Sequence, residues 1–321
     1  MKTWTSPYLP MTKANKLLYA LESFGSNFKL TFLDIGCAGG AQIRWNRIAK
    51  KVFLIGIDVS TEVHPSDFSK SFKNLQLILG KALGNPTNEN NKTDTYYATN
   101  HPLAGSLLKP NYSFFDRFPK SYKFQIKEST PTKVIRLSEL DLRVDFVKMD
   151  VQGGELEILK GGGDQFYDSL LGLEVECEFQ ELYENQPLFG DISKYLTNLN
   201  FELIDFVNPT RWLRDRNNKY FGQLIASDVL FLKQPHYFFS NKSLSETKWM
   251  EYLSILLVFE RYDLLDNSKT YLTKQQQLEA RKFFVFAEKL KYQDYLIRKI
   301  TYFLNWILKK LGSEKRIFLF G

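Results

Sequence analysis

Residues 31–40 read TFLDIGCAGG, and this stretch decides the fold. The apolar run Leu30-Thr31-Phe32-Leu33 ends in Asp34. Gly36, Gly39 and Gly40 follow, ahead of a segment able to start a helix. The pattern predicts a buried strand that breaks into a tight turn. Glycine permits positive φ and lets a ligand approach with no Cβ in the way. A helix opening behind the turn offers free N–H groups. A nucleotide-like cofactor at this turn is the first expectation.

Working outward, Val52–Asp58 (VFLIGID), Leu75–Leu79, Val144–Asp150 and Leu171–Phe179 read as further apolar strands. Helical spacing appears between them. Thr12–Phe24 reads as an entry helix, and Ala41–Lys51 as a helix with Ile43 and Ile48 inward and Arg44, Arg47 and Lys50 outward. Glu155–Lys160 is a third, and Ile192–Leu199, capped by Asp191, a fourth. Apolar strands alternating with helices predict a parallel sheet covered on both faces. Phe201–Val207 and Leu224–Leu232 have no helix between them, so they are expected to pair antiparallel. The class is α/β, a doubly wound, Rossmann-like sheet of seven main strands. From Gly84 to Pro131 the chain reads as irregular, with one strand-like piece at Thr95–Thr99.

Past Pro235 the period becomes helical, over Trp249–Phe259, Gln275–Leu290 and Tyr295–Leu311. A boundary near 238–245 divides a sheet domain, 1–238, from a basic helical extension, 239–321. Residues 240–321 hold 15 Lys+Arg and 9 Asp+Glu, a net of +6 of the chain's +7, which leaves the body almost neutral. The high isoelectric point therefore describes the tail and gives no reason to assign the body a nucleic-acid partner. Cys37 and Cys177 are too few for a disulfide framework and read as buried thiols in a reducing compartment. No signal-like start and no apolar run of spanning length is visible, so a cytoplasmic location is the default.

In a doubly wound sheet the ligand lies beyond the carboxyl ends of the strands. Asp58, ending the second strand, can then take two ribose hydroxyls. The glycine spacing lacks the full dinucleotide fingerprint. A D-x-G-x-x-G turn instead resembles the first motif of S-adenosylmethionine (SAM)-dependent methyltransferases. Residues 144–162, VDFVKMDVQGGELEILKGG, closely resemble the central motif of the FkbM family, K-x-D-x-E-G-x-E-x-x-x-L-K-G. Lys148, Asp150, Gly153, Glu155, Leu159, Lys160 and Gly161 stand at matching positions, and Gln152 replaces the usual Glu. Ala82-Leu83-Gly84, Ser106-Leu107, Val134–Leu140, Glu176–Phe189 and Phe201–Phe206 also match. The resemblance covers about residues 30–235 and leaves out the basic tail.

The resemblance implies a SAM-dependent O-methyltransferase acting on a hydroxyl, often of a sugar or glycosylated metabolite. It implies SAM binding by Asp34, Gly36, Cys37 and Gly39, with Asp58 and Val59 at the ribose and Ala82-Leu83 at the adenine. Asp150, at the end of the central strand, stands where a base would. Glu155 is a second acid there, and an acid in a helix's first turn is favourable by itself. His101, in the loop expected over the acceptor, is a further candidate base with Ser106 nearby. Glu174, Glu176 and Glu178 alternate with apolar residues and share one strand face. Glu176 and Glu178 lie nearest the acceptor, and with Asp150 they have the hard oxygens that Mg²⁺ takes. Pairing with Lys148 or Arg136 is the favoured alternative.

In the tail, Leu296, Ile300, Phe303, Ile307 and Leu311 form one helix face flanked by Arg298, Lys299, Lys309 and Lys310. That suits an anionic membrane surface. Packing on the body or in a homodimer is the plainer alternative. Rival functional readings are an NAD-type nucleotide-sugar dehydrogenase and a non-catalytic membrane-peripheral scaffold.

Overall fold

The computed structural model describes residues 11–26, 28–68, 70, 72–86, 92–215 and 222–310. The first ten residues, part of the Gly84–Asp94 loop and Leu311 lie outside them. The strands are β1 (Leu30–Ile35), β2 (Val52–Asp58), β3 (Asn74–Leu79), β4 (Ala82–Leu83), β5 (Thr93–Thr99), β6 (Ile126–Ile135), β7 (Phe146–Met149), β8 (Gly172–Glu178), β9 (Phe201–Trp212) and β10 (Gln223–Lys233). Seven form one sheet in the order β3-β2-β1-β7-β8-β10-β9. Its pairs are parallel from β3 to β8, while β10 runs antiparallel to both β8 and β9. The chain leaves β1 toward β2 on one side and resumes at β7 on the other. Ligands bind at such a switch point, beyond the carboxyl ends. The TFLDIGCAGG turn and Asp150 therefore emerge side by side. An antiparallel strand inserted before the edge departs from the 3-2-1-4-5-6 order of dinucleotide-binding sheets.

Alternation along the strands divides the core. Leu30, Phe32, Val52, Leu54 and Phe146 face one way, and Leu33, Ile35, Ile55, Ile57, Val147 and Met149 the other. The first face is covered by the helix Met11–Glu22 (through Leu17 and Leu21) and by the tail helices. Trp249, Leu253 and Leu256 of Lys242–Val258, with Phe283, Ala287 and Leu290 of Arg281–Lys310, join the same core as Phe32 and Phe146. The segment read as an extension thus supplies much of one covering layer of the sheet. Asn241 caps its first long helix, accepting from the Leu244 amide at 3.2 Å.

Local readings change in four places. After the glycine turn there is only a four-residue helix, Ile43–Asn46, and a short 3-10 turn at Ala49–Lys51. Ile43 is half exposed there and Trp45 is the buried residue, stacked on Phe32 at 4.2 Å. Arg44 turns inward, over the Phe259 ring and 3.7 Å from Glu174. Asp191 is not the cap of its helix; it sits in the first turn and accepts from the Leu188 amide at 2.9 Å. The 84–131 region contains an antiparallel pair, β5 with β6, extended by β4. Pro131 is tolerated because β4 meets β6 only at Val134 and Ile135, so β6 has one neighbour at Pro131. The last two predicted helices become Lys274–Glu279 and one 30-residue helix, Arg281–Lys310.

Candidate active site

At the switch point lies a cavity of about 320 Å³, within the range of small-ligand sites. Its walls include Gly36, Ala38, Gly39, Asp58, Val59, Ala82, Leu83, Tyr96, Leu103, Ser106, Asp150 and Gln152. The glycines have different tasks. A Cβ on Gly36 would lie 1.9 Å from the Asp150 carbonyl oxygen, so that glycine lets two protein backbones meet. Gly40 is similarly pressed on Asp67. Gly39, at φ +93°, has only Leu103 Cδ1 within reach, at 3.9 Å, and is the glycine that leaves room for a ligand.

Asp58 ends β2 on the cavity wall. Its Oδ2 accepts from the Ala38 amide at 2.9 Å and its Oδ1 from the Ser60 amide at 2.8 Å. These bonds orient the carboxylate and leave a lone pair on each oxygen for vicinal hydroxyls. Burial raises its pKa, and the two amides oppose that shift. Ala82 and Leu83 provide an apolar wall nearby. The donor set and the open Gly39 fit a ribose-bearing cofactor such as SAM.

Asp34 and Cys37 lie under the turn, almost wholly buried and away from the cavity wall. The thiols of Cys37 and Cys177 are free. Strand register brings Asp34, Lys148 and Glu174 into one row across β1, β7 and β8. Neither oxygen of Asp34 has a hydrogen-bond partner among the described residues. Burial pushes the Asp34 carboxyl up to about 7; Lys148 opposes this and neighbouring acids add to it. A raised folded-state pKa means the folded protein holds this proton more tightly than the unfolded chain. Asp34's contribution to stability is therefore complete below about pH 4 and is lost as pH rises to about 7. Between about pH 5 and pH 8 this group should cost about 3 kcal/mol of unfolding free energy. Asp34→Asn should flatten that part of the curve in urea titrations run across the interval. Parallel wild-type and variant curves would contradict the assignment.

Asp150 emerges from β7 onto the wall with its side chain about one-third exposed (33%). Its Oδ2 accepts from Lys148 Nζ at 3.1 Å and its Oδ1 from Gln152 Nε2 at 2.9 Å. Burial acts to raise its pKa, but Lys148 and the hydrogen bonds outweigh it and hold the carboxyl below its ordinary range. Gln152 is the hub of the site. Its Nε2 also donates to Glu176 Oε2 at 2.7 Å, and its Oε1 accepts from the Tyr183 hydroxyl at 3.0 Å. Its carbonyl accepts from Ser106 Oγ at 2.7 Å. These bonds hold Gln152 at φ +63°, where a side chain is strained. A glutamate here would add a third carboxylate beside Asp150 and Glu176; the amide instead donates to both.

The other predicted site residues fall behind the wall. Glu155 is buried, accepting from the Val151 amide at 2.8 Å and the Gly153 amide at 3.0 Å, so it closes the 151–154 loop. Burial raises its pKa to about 7. His101 Nδ1 accepts from the Leu103 amide at 3.3 Å, and it is Leu103 that lines the cavity. Glu176 bonds Gln152 and Glu178 is buried, and neither lines the wall; burial first, then neighbouring acids, raises both pKa values. Among the described residues no group of three His, Cys, Asp or Glu side chains is placed to hold a metal. Of the two proposed counter-ions, Lys148 pairs with Asp150, whereas Arg136 bonds Asn85 Oδ1 and the Pro86 carbonyl.

Two contributors were missed in the sequence. Tyr96, from β5, lines the cavity with its hydroxyl against Gly105. Gln152 stood out only as a departure from a motif.

Compared with known proteins, residues 46–203 match the methyltransferase FkbM domain. No curated protein matches the chain. Among solved structures it is similar to a putative RNA methyltransferase from Pyrococcus horikoshii, at 12% identity and a TM-score of 0.32, covering 71% of this chain and 87% of that one. It is also similar to a SAM-dependent methyltransferase from Agrobacterium tumefaciens, at 9% identity and a TM-score of 0.31, covering 70% and 62%. Residues 46–203 thus match the methyltransferase FkbM domain, on a sheet with this switch point and site, and the fold is that of a Rossmann-like SAM-dependent methyltransferase.

Proposed function

We propose that this domain methylates a hydroxyl oxygen of a sugar or similarly polyhydroxylated acceptor. The observation that carries the reading is Asp150, an ionised carboxylate on the cavity wall fixed by Lys148 and Gln152. Bound SAM supplies an electrophilic methyl group. The chain's own part is to hold the acceptor and accept its proton. Gly39 and Asp58 position the cofactor, and Leu103 and Pro102 add to the wall. An acceptor hydroxyl held beside Asp150 would give its proton to that carboxylate. Positioning of this kind is worth ~7–11 kcal/mol. Tyr96 offers an aromatic side chain and Gln152 and Asp150 offer polar atoms on the same wall, the mixture that a sugar ring takes.

Mass spectrometry of cellular glycans, with and without the protein, tests the acceptor class. One additional O-methyl group on a sugar is expected. Label from methyl-labelled SAM appearing on nitrogen, carbon or nucleic acid would sink the reading. Cofactor placement has its own test. Asp58→Ala should weaken SAM binding by about 2 kcal/mol, roughly 30-fold, in calorimetry. An unaltered affinity would put the ribose elsewhere.

A further inference from the structure

The tail helix Arg281–Lys310 does two things along its length. Phe283, Ala287 and Leu290 are buried in the core under the sheet. Beyond Leu290 none of its described side chains is buried. At 100° per residue, Tyr295, Leu296, Ile300, Phe303 and Trp306 share one face with Lys299 and Lys310. That face is open: Phe303 is 57% exposed and Trp306 50%. Phe303 and Trp306 stack at 6.1 Å. Lys299 lies over Tyr295 at 4.8 Å and Lys310 over Trp306 at 5.5 Å, so each ammonium rides on an aromatic ring.

Charge identifies the occupant. The helix carries eight Lys or Arg against two acids, Glu288 and Asp294. Glu288 accepts from Lys269 and Asp294 from the Tyr262 hydroxyl, both on the body side. From Tyr295 to Lys310 there is no acid. A second copy laid on this face would bring like charges together. Rings flanked by long-stemmed cations instead match the boundary between anionic headgroups and acyl chains. Among the described residues no helix is long and apolar enough to cross a membrane, so the geometry is that of a helix lying in the surface. We propose that the 292–310 half of this helix docks the protein on an anionic lipid bilayer. The inference is independent of which acceptor the active site takes.

Co-sedimentation of the full chain with vesicles tests it. Phosphatidylcholine alone is compared with the same lipid carrying roughly 30% phosphatidylserine. At least about ten-fold tighter binding to the anionic vesicles is expected, weakening as salt is raised. Phe303→Ser with Trp306→Ser, and separately Lys299→Glu with Lys310→Glu, should each lower that binding by about ten-fold or more. All four side chains are outside the core, and unchanged circular dichroism and SAM affinity would confirm intact folding. Three results would overturn the proposal: equal binding to neutral vesicles, variants that sediment like the wild type, or a lipid-free dimer that the Phe303/Trp306 variant dissolves.

Discussion

Replacing Asp150 with Asn should lower turnover by about 10²–10⁴-fold while SAM affinity stays within about three-fold of wild type. The carboxylate stands on the cavity wall, with one oxygen on Lys148 and the other on Gln152. Its lowered pKa keeps it ionised at neutral pH. In the proposed transfer so weak a base would suffice, because a hydroxyl oxygen becomes strongly acidic as it gains a methyl group. Proton acceptance would then assist late in the step, when the oxygen carries positive charge. Asparagine keeps the size but loses the charge and the proton acceptor, so the effect belongs in kcat. A companion variant checks the cause. Removing the Lys148 cation by Lys148→Met should raise the Asp150 pKa and move the acid limb of the pH–rate profile toward neutrality. Wild type should show no limb from Asp150 above about pH 4. Full turnover by Asp150→Asn would end the assignment of Asp150 as base.

Gly36→Ala should destabilise the fold by roughly 4 kcal/mol or more, enough to remove most folded protein from a marginally stable domain. The added Cβ would meet the Asp150 carbonyl oxygen at 1.9 Å and its carbon at 2.8 Å. Both are backbone atoms, so no rotamer relieves the contact. The φ of +78° adds strain of its own. Relief would require parting β1 from β7, whose ladder continues through the Asp150 amide to the Ile35 carbonyl at 3.0 Å. Gly39→Ala is the control. It meets only Leu103 Cδ1 at 3.9 Å and bears only the strain of φ +93°, about 1–2 kcal/mol. It should fold and bind SAM more weakly. Thermal unfolding beside SAM calorimetry separates the two. Equal melting temperatures for the two variants would refute the distinct roles given to these glycines.

The same pair of glycines shows how far the sequence could be read. Both were legible as a turn, because positive φ is a local demand. That one meets a backbone 114 residues further on, while the other faces a cavity, depends on where β7 docks. His101 and Glu155 show the opposite case. Their residue types suit acid–base work, yet a loop amide engages the histidine ring nitrogen and two loop amides occupy the carboxylate. Gln152 was conspicuous only as a mismatch to a motif. Its role follows from bonds to Asp150, Glu176, Tyr183 and Ser106, the last three of which lie far away in sequence.

The sequence by itself determined what depends on neighbours along the chain. Apolar runs ending in acids marked the strands, the glycines marked the turn, and residues 144–162 carried the family motif. It also placed basic and aromatic residues on one face of the tail helix. Only the tertiary structure decided what lies across from each of them. Asp34, Lys148 and Glu174 align because three strands dock in one register, which is set by the packing of both sheet faces. The tail is buried in the core as far as Leu290, while Phe303 and Trp306 beyond it stay open. The periodicity that makes a helix face apolar is a local property; whether that face is buried depends on what surface remains to receive it.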